Sequence, residues 1–523
     1  MGSTVYLPGS DFNNSFPLSR FLPPIPIGLG SAFLSRQDPG CEWVLDPFGI
    51  APLLDVELAQ SGVKVLVAVN NPISRLLLEL ASAPPKTGEL QAALSELASA
   101  RKGDERLETH LQSLYQTTCT KCRRSVQAEA YRWERDAQLP SGRIYHCPCG
   151  EGGEFAVNED DLTLYSRITA TDTLHRSRAL ERVTTPGDPD RVHAEQALAC
   201  YQPRAIYALV TTINKLDAIL PNLSRELKRA LLGLLVVAFD ETNSLWSHPP
   251  DRPRPKQLTV PARFLERNLW LSLEQAVHRW ENLTPVNLLD WQASSTQPGS
   301  ASAGNGQGGI YVYEGPAREL APALKVIHPG AVITALPRPN QAYWTLSALW
   351  TGWFWGRSVA ASFKSVLRRR RYDWNWHTDA LQSAFKSIAP NLPLNTPFFA
   401  ILAEPEPAFL TAAMVAASRA GFDLEGIALR ERGDPIQIIW RRRAFLQEET
   451  KPDEMKPEDL REALQAYLVS RGEPTPYLHL HAAGLSHLEN VHFLHQTNDT
   501  TTNLQTAIQE SLADLLFQQY SDG

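Results

Sequence analysis

A chain of 523 residues is longer than one ordinary domain, and its 43% hydrophobic and 20% charged residues are those of a folded globular protein, which excludes disordered and fibrous classes. A net charge of −7 excludes a uniformly basic coat for nucleic acid but leaves room for local basic patches. No apolar run reaches the length of a membrane span, and Met1 to Asn14 is polar with no basic region ahead of an apolar one, so the expectation is a cytoplasmic protein without a membrane partner.

Phe16 to Pro26, F-P-L-S-R-F-L-P-P-I-P, cannot be helical, because each proline removes a donor and restricts the residue before it. It reads as an ordered arm or as a flexible leader. Trp43, Val44 and Leu45 then form a buried-strand run that stops at Asp46-Pro47-Phe48-Gly49. A helical pattern follows from Leu53 to Gln60, a turn falls at Ser61-Gly62, and an apolar β run extends from Val63 to Val69. This is a β-α-β unit opened by a tight turn, where free backbone N–H groups and the helix dipole favour a nucleotide or cofactor. An ordinary unit without a ligand has the same pattern. Ile73 to Ala83 continues as an apolar helix ended by Pro84-Pro85, and a second helix spans Gly88 to Ala100.

Four of the six cysteines lie in two tight pairs, which suits a reducing compartment and a metal. Cys119-x-x-Cys122 and Cys147-Pro-Cys149 flank strand-like sequence at Ala128 to Arg132 and Arg143 to Tyr145, the pattern of a zinc ribbon whose two knuckles supply four thiolates. Free structural cysteines are the alternative. The tight second knuckle makes His146 a substitute ligand, and Lys121, Arg123 and Arg124 offset the thiolate charge. Four closed ligands imply a structural rather than catalytic zinc.

Helical periodicity marks His193 to Tyr201, Ala205 to Leu220 and Arg225 to Phe239. Trp246 to Phe264 reads as an extended basic loop whose Arg252, Arg254, Lys256 and Arg263 contact phosphates or pack down onto the protein. Ser294 to Gly309 is a linker rich in glycine and serine. The α/β pattern resumes at Ile310 to Tyr313, with a buried strand at Ala331 to Ala335 ending in Leu336-Pro337-Arg338-Pro339-Asn340. Tyr343 to Trp355 is an aromatic helix, read as core rather than as a stacking platform. Arg368, Arg369, Arg370 and Arg371 with Trp374 and Trp376 combine guanidinium groups and rings as nucleic-acid contact requires, although a solvated helix end has the same composition. Phe398 to Leu402 and Ile436 to Trp440 close the sheet around a helix at Ala408 to Ala420. The last stretch is helical at Lys456 to Arg471, Tyr477 to Leu488 and Thr502 to Gln519, a winged-helix-like unit in which His479, His481 and His487 are packing residues.

The Asp46–Gly49 motif and Asn70-Asn71-Pro72 resemble the D-P-F-x-G-x-G and D-x-N-P motifs of amino-methylating DNA methyltransferases. The inserted cysteine pairs make the resemblance narrower, to zinc-ribbon-containing adenine-specific DNA methylases. That resemblance, covering roughly residues 16 to 445, implies an α/β, Rossmann-type S-adenosylmethionine-dependent methyltransferase fold. It assigns Asp46, Pro47, Phe48, Gly49, Asn70 and Asn71 to the cofactor and places the proline-rich arm over the cofactor cleft. Val69 stands where the family has the acidic residue for the ribose, and Ile50, Ala51 and Pro52 replace the later glycines. The family's D-P-P-Y motif, which holds the target amine and stacks on a flipped base, falls on Ala335, Leu336, Pro337 and Arg338, where no amine acceptor is present.

The implied organisation is a first half of the fold at 1–105, a zinc ribbon at 106–160, a helical insertion at 161–293, the linker at 294–309, the second half at 310–445 and a small helical module at 446–523. Two functions follow from the resemblance: an active DNA amino-methyltransferase with a divergent site, or a degenerate relative that binds nucleic acid or supports an active partner. Zinc and S-adenosylmethionine are the expected cofactors, and DNA and a second methyltransferase-like subunit the expected partners.

Overall fold

The computed structural model describes residues 4–12, 14–37, 41–250, 254–291, 308–363, 373–430, 433–443, 457–496 and 499–513. The longest apolar runs form the strands. β1 (Trp43–Asp46) and β2 (Lys64–Val69) are buried along their whole length, as continuous apolar strands covered on both faces must be. A two-residue hairpin, β3 (Arg101–Lys102) and β4 (Glu105–Arg106), follows the second helix. The cysteine-bearing insertion contains β5 (Gln116–Thr118), β6 (Ser125–Glu134), β7 (Gly142–His146) and β8 (Gly152–Ala156). It is joined by β9 (Arg263–Arg267), which pairs with β6. The expected extended basic loop therefore ends as a strand of this antiparallel sheet.

The main sheet is completed by β10 (Asn287–Asp290), β11 (Gly309–Glu314), β12 (Ala331–Ala335), β13 (Pro397–Leu402), β14 (Phe422–Ala428) and β15 (Ile436–Arg442). Its order is β10-β11-β2-β1-β12-β13-β15-β14. The strands from β10 to β13 run parallel, and β15 is antiparallel to both β13 and β14. From β1 the chain builds outward in one direction through β2 and β11 and then returns to the other side of β1 with β12. The order thus reverses between β1 and β12, and the loops leaving their carboxyl ends diverge and leave a crevice.

One face of the sheet, with Val44, Val65, Val67, Ile333 and Phe399, packs against the proline-rich arm and the helices Pro72–Ser82, Arg225–Glu241 and Gln341–Trp355. The other face, with Leu45, Leu66, Val332 and Phe398, packs against Trp374–Ile388 and Pro407–Arg419. The helices Pro457–Arg471, Tyr477–Asn490 and Thr501–Leu512 contribute Leu460, Leu485 and Ile508 to this same second core. The described residues from 457 onward are helical and contain no strand, so they show the helices of the winged-helix-like expectation and not its wing. No helix among the described residues is long and apolar enough to cross a membrane.

Candidate functional site

A cavity of about 760 Å³ lies at the carboxyl ends of the parallel strands, and its wall includes residues following β1, β2, β11, β12 and β13. This is the size and position of a small-molecule site in an open α/β sheet. Its parts are drawn from motifs far apart in the chain.

After β1, Pro47, Phe48 and Ile50 face the cavity while Asp46 does not. Asp46 is completely buried, and its Oδ1 accepts hydrogen bonds from the backbone N–H of Phe48 at 2.9 Å and Gly49 at 3.2 Å and from Thr334 Oγ1 at 2.6 Å. The turn's donors are thus satisfied within the protein. Gly49 adopts φ +53°, and a Cβ there would lie 2.6 Å from Val69 Cγ2, so only glycine lets the turn close onto β2. Beneath it lies Asp55, also completely buried. Burial raises both carboxyls, and the Asp46 charge pushes Asp55 further up, well above the ordinary carboxylate value.

Beyond β2, Asn70 is exposed on the cavity wall, and Asn71 caps the helix Pro72–Ser82 by accepting from Ile73 N at 2.9 Å and Ser74 N at 3.4 Å. The polar group presented by the end of β2 is therefore the Asn70 amide. Glu319, beyond the neighbouring β11, supplies a carboxylate to the same cavity. Sequence reasoning, which searched for an acid at the end of β2, missed it.

Ala335 is buried within β12, and Leu336, Pro337, Arg338, Pro339 and Asn340 continue along the cavity. Asn340 caps the aromatic helix through Tyr343 N at 3.0 Å and reaches Phe21 O at 3.4 Å. Arg338 binds Glu404 at 2.7 Å and also Glu406. Arg254 and Lys256, from the basic stretch, meet the same Glu404 at 3.0 and 3.4 Å. Burial alone would raise Glu404, but Arg338, Lys256 and Arg254 hold it below the ordinary carboxylate value. The Leu336–Asn340 segment carries no carboxylate, and its one side-chain amide is spent on the helix cap and on Phe21. Glu404 and Glu406 were also missed, although Glu-Pro-Glu-Pro directly after the carboxyl end of a buried strand marks a loop at the same end of the sheet.

The arm does cover the cavity. Phe21, Leu22 and Pro23 line it, Phe21 stacks on Tyr343 at 5.7 Å, and Arg254 donates to the Leu22 and Ser19 carbonyls. The aromatic helix is core along most of its length: Trp350 Nε1 donates to Tyr201 Oη at 2.8 Å and Trp353 Nε1 to Ala179 O at 3.2 Å. Tyr343 and Trp344 in its first turns reach the cavity. Trp376 lies on the rim, 40% exposed, and Trp374 stacks on Phe409 at 5.8 Å. Arg368, Arg369, Arg370 and Arg371 lie outside the described residues.

The cysteines form a second site. The sulfurs of Cys119, Cys122, Cys147 and Cys149 lie within 4.8 Å of one another, with Cys119–Cys149 at 3.7 Å and Cys122–Cys147 at 3.5 Å. These separations are too long for disulfides. They match the edge of about 3.8 Å of a tetrahedron with metal–sulfur bonds of about 2.3 Å. Backbone N–H groups of Cys122 and Lys121 lower the Cys119 thiol, while burial and hydrogen bonds to Cys149, Cys122 and Cys119 raise the Cys147 thiol, so the two groups titrate together. His146 points to Glu129 at 2.5 Å and is not part of the cluster. A further group of Asp423, Glu489 and His495 encloses Arg443, which donates to Asp423 at 2.6 Å, so a guanidinium already neutralises it. His481 is a core residue, bonded to Thr411 at 2.7 Å.

Comparison with protein-family models, with curated proteins and with solved structures finds no match for the chain.

Proposed function

We propose that the chain is a Rossmann-type, methyltransferase-like protein of the zinc-ribbon DNA methylase kind that binds nucleic acid and has lost methyl transfer. The observation that carries this reading is the convergence of three dispersed motifs, Asp46–Gly49, Asn70-Asn71 and Leu336–Asn340, on the reversal point of one sheet. The resemblance assigns these motifs to cofactor and target base, and a shared cavity is what that assignment requires.

S-adenosylmethionine fits the side of the cavity made by Phe48, Ile50 and Asn70, with the Asn70 amide in place of the family's ribose-binding carboxylate. The cofactor would supply an electrophilic methyl group. The chain's own residues do not complete the reaction: transfer to an exocyclic amine needs an acceptor for the amine hydrogens. In this chain the Leu336–Asn340 segment offers no carboxylate and its one side-chain amide is engaged, and both oxygens of Glu404 are engaged by cations. Trp376 on the rim, which follows the arginine run in the sequence, supports contact with unstacked bases. Cys119, Cys122, Cys147 and Cys149 hold zinc, which fastens the two knuckles and performs no chemistry.

The test pairs a filter-binding titration of single- and double-stranded DNA with a single-turnover assay using S-adenosylmethionine labelled in its methyl group. DNA binding without label transfer is the expected result. Stoichiometric transfer would restore the active-enzyme alternative, and the absence of DNA binding would reject the nucleic-acid function.

A further inference from the structure

The place where the resemblance expects an amine acceptor is instead a knot of cations. Arg254, Lys256 and Arg338 converge on Glu404, and Arg338 also pairs with Glu406, which leaves three positive charges against two negative ones. The donors are not exhausted. Lys256 makes one contact at 3.4 Å while 32% of its side chain is exposed, and the Arg338 side chain keeps 14% exposure beside it. Arg254 is held by the arm through Leu22 and Ser19 and fixes the geometry from behind. Trp344 also lines the cavity, and its helix starts against the Lys256 backbone, with Ala342 N donating to Lys256 O at 3.3 Å.

We propose that this end of the cavity binds the phosphate of a nucleotide unit, on Arg338 and Lys256 with Arg254 behind them, and sets its base against Trp344. A phosphate carries the negative charge that the cluster lacks and offers several acceptor oxygens to the unused donors, and such charge-assisted bonds are strong where water is partly excluded. At about 760 Å³ the cavity exceeds what an inorganic anion fills, and the adjacent ring gives a base a stacking face. A sulfonium would be repelled here, so this end belongs to a second ligand. The inference rests on the proposed function in that both use this cavity, but the phosphate subsite stands on the cations alone.

Calorimetric titration of the zinc-loaded full chain at low salt with adenosine monophosphate and with adenosine tests it. The nucleotide is expected to bind at least about tenfold tighter than the nucleoside. Lys256→Ala, at a part-exposed position expected to leave the thermal midpoint unchanged, should remove that advantage without altering adenosine affinity, and Lys256→Arg should keep it. Equal affinity for the two ligands, no binding of either at millimolar concentration, or full nucleotide affinity in Lys256→Ala would overturn the proposal. A short single strand with and without a terminal phosphate separates the sources. Tighter binding of the phosphorylated strand than of the mononucleotide supports a strand end, and the reverse order supports a free nucleotide. S-adenosylhomocysteine has no phosphate, so its failure to bind while the nucleotide binds would reject the methyltransferase-like reading alone.

Discussion

Asp46 and Asp55 lie together beneath the turn that follows β1, and the low dielectric there disfavours two charges. Both carboxyls are raised, Asp55 the more, because burial and then the neighbouring Asp46 disfavour its ionised form. The sign of the linkage follows. Above the ordinary value of 3.8, unfolded Asp55 loses a proton that the folded chain keeps, so the pair's contribution is complete at low pH and is lost as pH rises through the raised folded value. Asp55→Asn, which supplies an N–H without a titrating proton, should flatten this part of the urea-midpoint profile between about pH 4 and 8. An unchanged profile in Asp55→Asn would show that the pair is not the source of the slope. The D-P-F-G motif was legible at this scale as a turn, but not the role of its acid. Asp46 orders the turn from below, and only the fold brings Asp55 and Thr334 to it.

The cysteine-bearing antiparallel sheet is joined to the neighbouring helices by Arg204, on the helix Pro203–Ile219. Its guanidinium is fully buried, 3.8 Å from the centre of the Tyr131 ring, with Tyr115 and Tyr165 beside it and Glu266 at 3.9 Å. Removing one member of a buried pair strands the other, so Arg204→Ala should destabilise the protein by about 3–5 kcal/mol in urea unfolding. A loss below about 1 kcal/mol would mean that the cage contributes packing only. At the other end of the same sheet, the proposed zinc predicts that chelation, or replacement of Cys119 with serine, should expose residues 116–156 to limited proteolysis while the main sheet stays resistant, with about one zinc released per chain on chelation. Uniform digestion of the whole chain would contradict this local role. The cysteine spacing made the knuckles legible. It could not show β9, because Arg263–Arg267 has no apolar run of its own and becomes a strand by pairing with β6.

Across the main sheet, the strands legible in the sequence were those with apolar runs: Trp43–Leu45, Val63–Val69, Ile310–Tyr313, Ala331–Ala335, Phe398–Leu402 and Ile436–Trp440; Ala128–Arg132 and Arg143–Tyr145 were legible as the strands between the cysteine pairs. Burial on both faces demands such runs, and the demand is visible without a structure. β10 is a four-residue strand at the sheet edge, mostly exposed, and its state depends on β11, so its own sequence carried no signal. The cavity shows the same division. The loops after β1, β2 and β12 were found by motif, whereas Glu319 and Glu404 became site residues only because β11 and β13 end at the same height. Asp46→Ala would therefore report on folding rather than on cofactor binding. Phe48 and Asn70, which face the cavity, are the residues to vary. The most direct measurement is a calorimetric titration of S-adenosylhomocysteine into the zinc-loaded chain and its Asn70→Ala variant. Micromolar binding weakened about tenfold by Asn70→Ala, with the folding midpoint unchanged, is the predicted result. No heat at millimolar ligand would contradict the methyltransferase-like reading of this cavity.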